Sequence, residues 1–146
     1  YAEKLSLMLE HPSVKRIGFR KDLHDVMRGC DVMVLPSIEE GSALVTYDAR
    51  GCGCVLAVSD ATGAVCRHGE NALVHPAGDV QALADHLTQL DTDRGLLQRL
   101  RAASLQTADQ LTWRAAGAKL HEEYRQLLAR RDSSSTRSKE PAHVSN

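Results

Sequence analysis

The sequence is 146 residues long, 42% hydrophobic and 25% charged, with 18 Lys and Arg against 19 Asp and Glu for a formal charge of −1. That is one domain's worth of an ordinary water-soluble chain, and its charge balance excludes bulk nucleic acid or an anionic membrane as main partner, since each selects a basic excess. No apolar run approaches the roughly 18 residues of a membrane span; the longest are Val32–Leu35 and Cys54–Val58.

The chain opens at Tyr1 with no basic-then-apolar leader, and we read it as a fragment of a longer protein. Val14–Phe19 reads as a short strand. Asp22 starts a helix whose apolar positions Leu23, Val26, Met27 and Cys30 recur at helical spacing. Asp31–Leu35 is a β-branched run ended by Pro36, as expected of a strand buried on both faces. A small-residue loop leads to Ser42, a candidate cap for a helix with Val45, Ala49 and Cys52 on one face; Gly51 and Gly53 end it. Cys54–Ser59 and Asn71–His75 read as two more buried strands, separated by an irregular, glycine-punctuated stretch. Asp79 caps a helix carrying Leu83, Leu87 and Leu90, and Asp93 one carrying Leu96, Leu97 and Leu100. Thr112 caps a third, whose stripe of Trp113, Ala116, Leu120, Tyr124 and Leu127 is expected to pack into the core. Residues 131–146 are Ser-rich and charged, and read as a disordered tail. Cys30, Cys52, Cys54 and Cys66 follow no zinc or thioredoxin spacing, and are expected to be small buried hydrophobes in a reducing compartment.

Apolar strands alternating with helices predict an α/β fold: a Rossmann-like parallel sheet with helices on both faces, followed by C-terminal helices and the tail. Such a sheet binds ligands at the carboxyl ends of its strands. Here those ends are the loops after Phe19, Leu35, Ser59 and His75.

The loop after Leu35, Pro36-Ser-Ile-Glu-Glu-Gly-Ser-Ala43, leaves a buried strand and opens a helix. Its small residues let a ligand approach the backbone, and free N–H groups at a helix start suit a phosphate. Strand-loop-helix alone is a weak signal. Glu40 is the unusual element: either it is an exposed acid that favours the helix dipole, or it accepts hydrogen bonds from sugar hydroxyls.

The segment Pro36-Ser-Ile-Glu-Glu-Gly-Ser-Ala-Leu-Val-Thr-Tyr-Asp-Ala-Arg-Gly-Cys-Gly53 resembles the signature of the retaining group 1 glycosyltransferases of the GT-B type. In that family a proline-serine turn leads to a glutamate, seven residues and a second glutamate. Gly18-Phe19, Cys30-Asp-Val-Met-Val-Leu-Pro36, Gly63, Gly69-Glu-Asn-Ala-Leu-Val-His-Pro-Ala-Gly-Asp79, Ala82-Leu83, Leu111-Thr-Trp113 and Tyr124 agree in order. The resemblance covers residues 1–130 and implies the C-terminal, donor-binding domain, incomplete at its start.

By this resemblance Glu40 contacts hydroxyls of the donor sugar, and is the one residue assigned to catalysis. Gly41, Ser42 and Ala43 hold the donor diphosphate through backbone N–H groups, and Leu44 and Val45 continue along the nucleotide. Asp48 stands at the second glutamate, which holds the ribose. Positions eight apart on one helix lie about 12 Å apart along its axis and about 80° around it, so one face could hold both ends of a nucleotide sugar. Gly18, Phe19 and Arg20 are further candidates on the nucleotide side. The implied reaction transfers a hexosyl-type group from a nucleoside-diphosphate sugar with retention, without metal or other cofactor.

The departures are as informative as the matches. Asp48 is one methylene shorter than glutamate, Ser42 and Ala43 replace an aromatic and a glycine, and the stretch around Val65 and Cys66 lacks a carboxylate and is a residue or two short. The family's phosphate-neutralising Arg and Lys and its N-terminal acceptor-binding domain would lie upstream, so we expect the chain to be inactive alone. The expected setting is cytoplasmic, with the missing domain able to place it at the inner membrane face. A degenerate, non-catalytic nucleotide-sugar-binding module is the alternative. A phospho-receiver domain is a third reading, disfavoured because Asp31 precedes its strand. Of the seven histidines, none has metal-ligand spacing; His68 and His75 lie at the ligand end of the sheet, where they could touch a donor.

Overall fold

The computed structural model describes residues 2–137. Helix α1 spans Ala2–Leu9, α2 Leu23–Arg28, strand β1 Val32–Leu35, α3 Val45–Gly51, β2 Val55–Ser59 and β3 Ala72–His75. They are followed by α4 Val80–Thr92, α5 Arg94–Gln106 and α6 Trp113–Arg137. The three strands form a parallel sheet in the order β1-β2-β3.

The central strand organises the core. All five residues of β2 are buried, and their side chains alternate between two layers. Leu56 and Val58 face a cluster with Met27 of α2 and Ala49 of α3. Val55 faces the opposite layer, with Leu73 of β3, Leu90 of α4, and Leu96, Leu97 and Leu100 of α5. The sheet is therefore covered on both faces, as the unbroken apolar runs require. Each fully buried aliphatic side chain contributes about 1.5–3 kcal/mol.

Caps fix the later helices. The Asp79 carboxylate accepts from the Ala82 N–H at 2.9 Å, and Asp93 from Leu96 N–H at 2.8 Å. Thr112 Oγ1 accepts from Ala115 N–H at 3.2 Å.

Several sequence expectations fail for local reasons. Residues 14–19 form no strand: their backbone pairs with no neighbouring strand, and among the described residues β1 pairs only with β2 and its outer edge stays open. Phe19 is left 93% exposed. Asp22 does not cap α2 through its side chain; its carboxylate is forked by the Arg20 guanidinium instead. Helix α3 starts at Val45, beyond Ser42. The Ala43 N–H is drawn away to Thr62 O at 3.2 Å, while Ser42 Oγ bonds the Tyr47 hydroxyl at 3.0 Å.

The stripe of α6 is not core: Trp113 is 81% exposed, and Leu120, Tyr124 and Leu127 are exposed as well. Helical periodicity identifies an apolar face but not whether anything covers it, and α6 meets the body chiefly through the turn at Ala108–Leu111. The helix also continues to Arg137, into the stretch read as tail; the remaining tail residues lie outside the described ones. The cysteines are free, with Cys30 exposed and only Cys54 buried.

Candidate functional site

The loop after β1 is built from two sides. Ser59, ending β2, donates its hydroxyl to Ser37 O at 2.5 Å, which ties the loop's start to the neighbouring strand. Its end is tied by the Ala43–Thr62 bond, and Gly63 packs against Gly41 so closely that a Cβ on Gly63 would stand 2.6 Å from Gly41 O. Gly63 has φ +60°, a backbone that a side chain would strain. The loop is thereby held against the carboxyl ends of β1 and β2, the ligand end of a parallel sheet.

Helix α3 is anchored by a buried cation. Arg50 is 2% exposed. Its guanidinium donates to Ser104 Oγ at 2.9 Å, Ser104 O at 3.1 Å, Thr107 Oγ1 at 2.6 Å and Val65 O at 2.5 Å. Burial pulls its pKa below the usual arginine value, while Cys66 and Tyr47 nearby favour the charge. Ser104 lies in the last turn of α5, where exposed carbonyls favour a cation. Burial also pushes the Cys66 thiol up, against the pull of Arg50. Sequence reading placed no role on Arg50, because one charge on a helix looks like a surface residue until its surroundings are known.

A cleft of about 1170 Å³ runs beside α3, between α2 on one wall and the start of α6 on the other. Of the residues singled out from sequence, Ser42, Leu44 and Asp48 line it. Glu40 is exposed in the loop, five residues before α3, with a long 3.5 Å hydrogen bond from Ser37 Oγ. The picture of Glu40 and Asp48 on one continuous helix therefore does not hold. Gly41 is exposed in the same loop, Ala43 is buried with its N–H committed to Thr62, and Val45 is half-buried at the start of α3. Gly18, Phe19 and Arg20 do not line the cleft, and Arg20 is engaged with Asp22.

The cleft gathers residues that the sequence did not single out. His24 Nε2 lies 3.5 Å from the Asp48 carboxylate, and Arg28, Tyr47, Gln110 and Lys119 complete a polar lining beside Trp113. No motif spacing links α2 to α6, so only the fold could bring them together. His68 and His75 turn elsewhere: both belong to an imidazole group with His86. Asp31 is held at the amino end of β1 by Arg94 at 2.8 Å and Arg101 at 2.7 Å. A phospho-receiver needs its aspartate at the opposite end. Among the described residues, no group of three or more His, Cys, Asp or Glu is placed to hold a metal ion. No helix there is long and apolar enough to cross a membrane.

Comparison with known proteins agrees with the fold. Residues 1–93 match the family model described as Glycosyl transferases group 1. A D-inositol 3-phosphate glycosyltransferase of Stackebrandtia nassauensis is 34% identical over 120 residues, covering 80% of this chain and 27% of that protein. The fold superposes on sucrose-phosphate synthase from Thermosynechococcus elongatus with a TM-score of 0.73 at 23% identity, covering 87% of this chain and 34% of the other. It superposes on Anabaena HepE in complex with UDP-glucose with a TM-score of 0.70 at 22% identity, covering 83% and 37%. The architecture is that of the C-terminal Rossmann-like domain of such enzymes. The chain spans about a quarter of the length of the curated relatives it matches.

Proposed function

Since this chain belongs to the group 1 glycosyltransferase family, we propose that it is the donor-binding part of an enzyme that transfers a sugar from a nucleoside-diphosphate sugar, with retention of anomeric configuration. The observation that carries this reading is the loop 36–45, pinned at the ligand end of the sheet and continuing into a helix whose Asp48 opens on the cleft. Glu40 accepts hydrogen bonds from the sugar hydroxyls. The N–H groups of Gly41, Ser42 and Leu44 face the diphosphate; that of Ala43 is already used, so its part is to shape the loop. Val45 borders the nucleotide at the start of α3. Asp48, oriented by His24, receives the ribose.

In the reaction the bond from the anomeric carbon to the diphosphate oxygen breaks, and its electron pair leaves with the diphosphate. The acceptor oxygen bonds to the same face of the sugar and gives up its proton. The chain's contribution is to hold the donor and to place N–H dipoles where charge develops on the leaving group, a form of electrostatic stabilisation that needs no metal. We further propose that the remaining cations and the acceptor site belong to a longer protein, so that this chain alone binds donor without transferring it. The cytoplasm, where nucleotide sugars are made, is the setting this reading requires.

Trp113 is the sequence's one tryptophan and lines the cleft, which makes it a built-in reporter. Titration with UDP-glucose, GDP-mannose and ADP-glucose is expected to change Trp113 fluorescence saturably for one base. No change with any of them, in a folded sample, counts against the reading. The second reading, a module that binds the nucleotide sugar without any transfer, is favoured by one observation: the short Asp48 side chain has His24 Nε2 only 3.5 Å from its carboxylate. Transfer of labelled sugar by the longer protein would exclude it.

A further inference from the structure

Away from the cleft, three imidazoles form one group. His68 precedes β3, His75 ends β3 and His86 lies on α4. The ring centroids of His68 and His86 are 5.4 Å apart, and those of His75 and His86 5.9 Å. The contacts suit neutral rings. His68 Nδ1 accepts the Val74 N–H at 3.0 Å, satisfying a donor on β3, an edge strand of the described sheet; a proton on that nitrogen removes the acceptor. The Nδ1 atoms of His75 and His86 are buried without a hydrogen-bond partner, and His75 is 2% exposed. A proton added there meets no acceptor, and a second charge meets a first across less than 6 Å.

The surroundings set the balance. Burial and the neighbouring His68 and His75 hold His86 below the ordinary imidazole value, against the opposing pull of Asp85 and Asp79 on its own helix. Arg67 and Glu70, beside His68, are exposed and paired with each other at 3.4 Å. Helix α5 packs against α4 through Leu96, Leu97 and Leu100. From the end of β2, Asp60 accepts the Ala77 N–H at 2.9 Å and ties down the turn that follows His75.

We propose that His68, His75 and His86 form an acid-released latch, which holds edge strand β3 and the turn at residues 76–79 against α4 while His86 is neutral and lets both go when His86 takes a proton. That turn lies at the carboxyl end of the sheet, so the latch links proton concentration to order at the ligand end. It does not depend on which ligand binds there. The sign follows from proton linkage at His86: in the opened segment it binds a proton near pH 6.5, in the closed one only at lower pH, so closure weakens as pH falls below about 7 and the loss levels off once the closed form is protonated too.

The test is an imidazole NMR titration of the full chain, combined with amide hydrogen exchange corrected for the intrinsic rate. His86 is expected to titrate with a midpoint below 6.5, its ordinary value. Protection at Ala72–His75 is expected to fall several-fold, and by no more than about tenfold, between roughly pH 7.5 and 5.5, and His86→Leu to abolish that fall. A His86 midpoint at or above 6.5, or protection at Ala72–His75 that ignores pH in the wild type, overturns the proposal. So does a His86→Leu variant that keeps the full pH dependence. Should that variant not fold, the two wild-type readings decide.

Discussion

Gly63 lies so close to Gly41 that a single added carbon would stand 2.6 Å from the Gly41 carbonyl oxygen. The two glycines belong to different loops, one after β1 and one after β2, and their contact sets how far the loop after β1 can lie from the sheet. Gly63→Ala is expected to cost about 1–3 kcal/mol of stability from the left-handed backbone and the clash together, measured by urea unfolding. If the fold survives, nucleotide binding should weaken further than stability, because the clash displaces Gly41 itself. Gly53→Ala, also at a left-handed φ of +87° but with open space around its Cβ and outside the cleft lining, is the control.

Arg50 fastens the short helix α3 to the end of α5 and to the Val65 carbonyl. Arg50→Met removes the charge and strands those oxygens, and should destabilise by roughly 3 kcal/mol. Arg50→Lys keeps a cation but cannot reach a fork of acceptors, and should fall between. Thermal unfolding of both variants checks the order; equal stability of Arg50→Met and wild type would contradict it.

The Asp31 carboxylate is held below the usual range chiefly by Arg94, with Arg101 second. A carboxylate with a lowered folded pKa stabilises above its unfolded value of about 3.9 and loses that contribution as pH falls through the folded value. The group is half-exposed, so solvent screening limits the effect to under about 1 kcal/mol. Asp31→Asn should therefore lower stability slightly at neutral pH and converge with wild type at acid pH, as read from paired unfolding curves.

Asp48 meets the cleft with His24 at its side. Asp48→Asn is expected to weaken nucleotide binding by about tenfold, the worth of a lost charge-assisted hydrogen bond. Asp48→Glu should bind at least as well as wild type, since the longer side chain reaches further toward the ribose. Calorimetric titration distinguishes the two.

The pattern of β1, β2 and β3 and of α4 and α5 was legible because apolar runs and aspartate caps act locally: Val55–Ser59 is buried throughout, and Asp79 and Asp93 cap as their positions suggest. Residues 14–19 look equally strand-like, but a strand exists only with a neighbour, and sequence says nothing about who pairs with whom. The stripe of Trp113, Leu120 and Tyr124 has the right period for burial yet stays exposed for the same reason. At the cleft, the motif pointed to Ser42, Leu44 and Asp48, which line it. It missed His24, Arg28 and Lys119, which reach the cleft from separate helices, and it missed Arg50, whose partners lie 54 and 57 residues away.

The most direct test of the account is an NMR titration of the labelled chain with UDP, GDP and ADP and their glucose or mannose conjugates, in wild type, Glu40→Ala and Asp48→Asn. The account predicts shifts at Gly41–Val45 and Asp48 for one base. Glu40→Ala should remove the extra affinity given by the sugar while sparing the free nucleotide, and Asp48→Asn should weaken both. Shifts confined to other residues, or a Glu40→Ala variant that still distinguishes nucleotide sugar from nucleotide as wild type does, would contradict it.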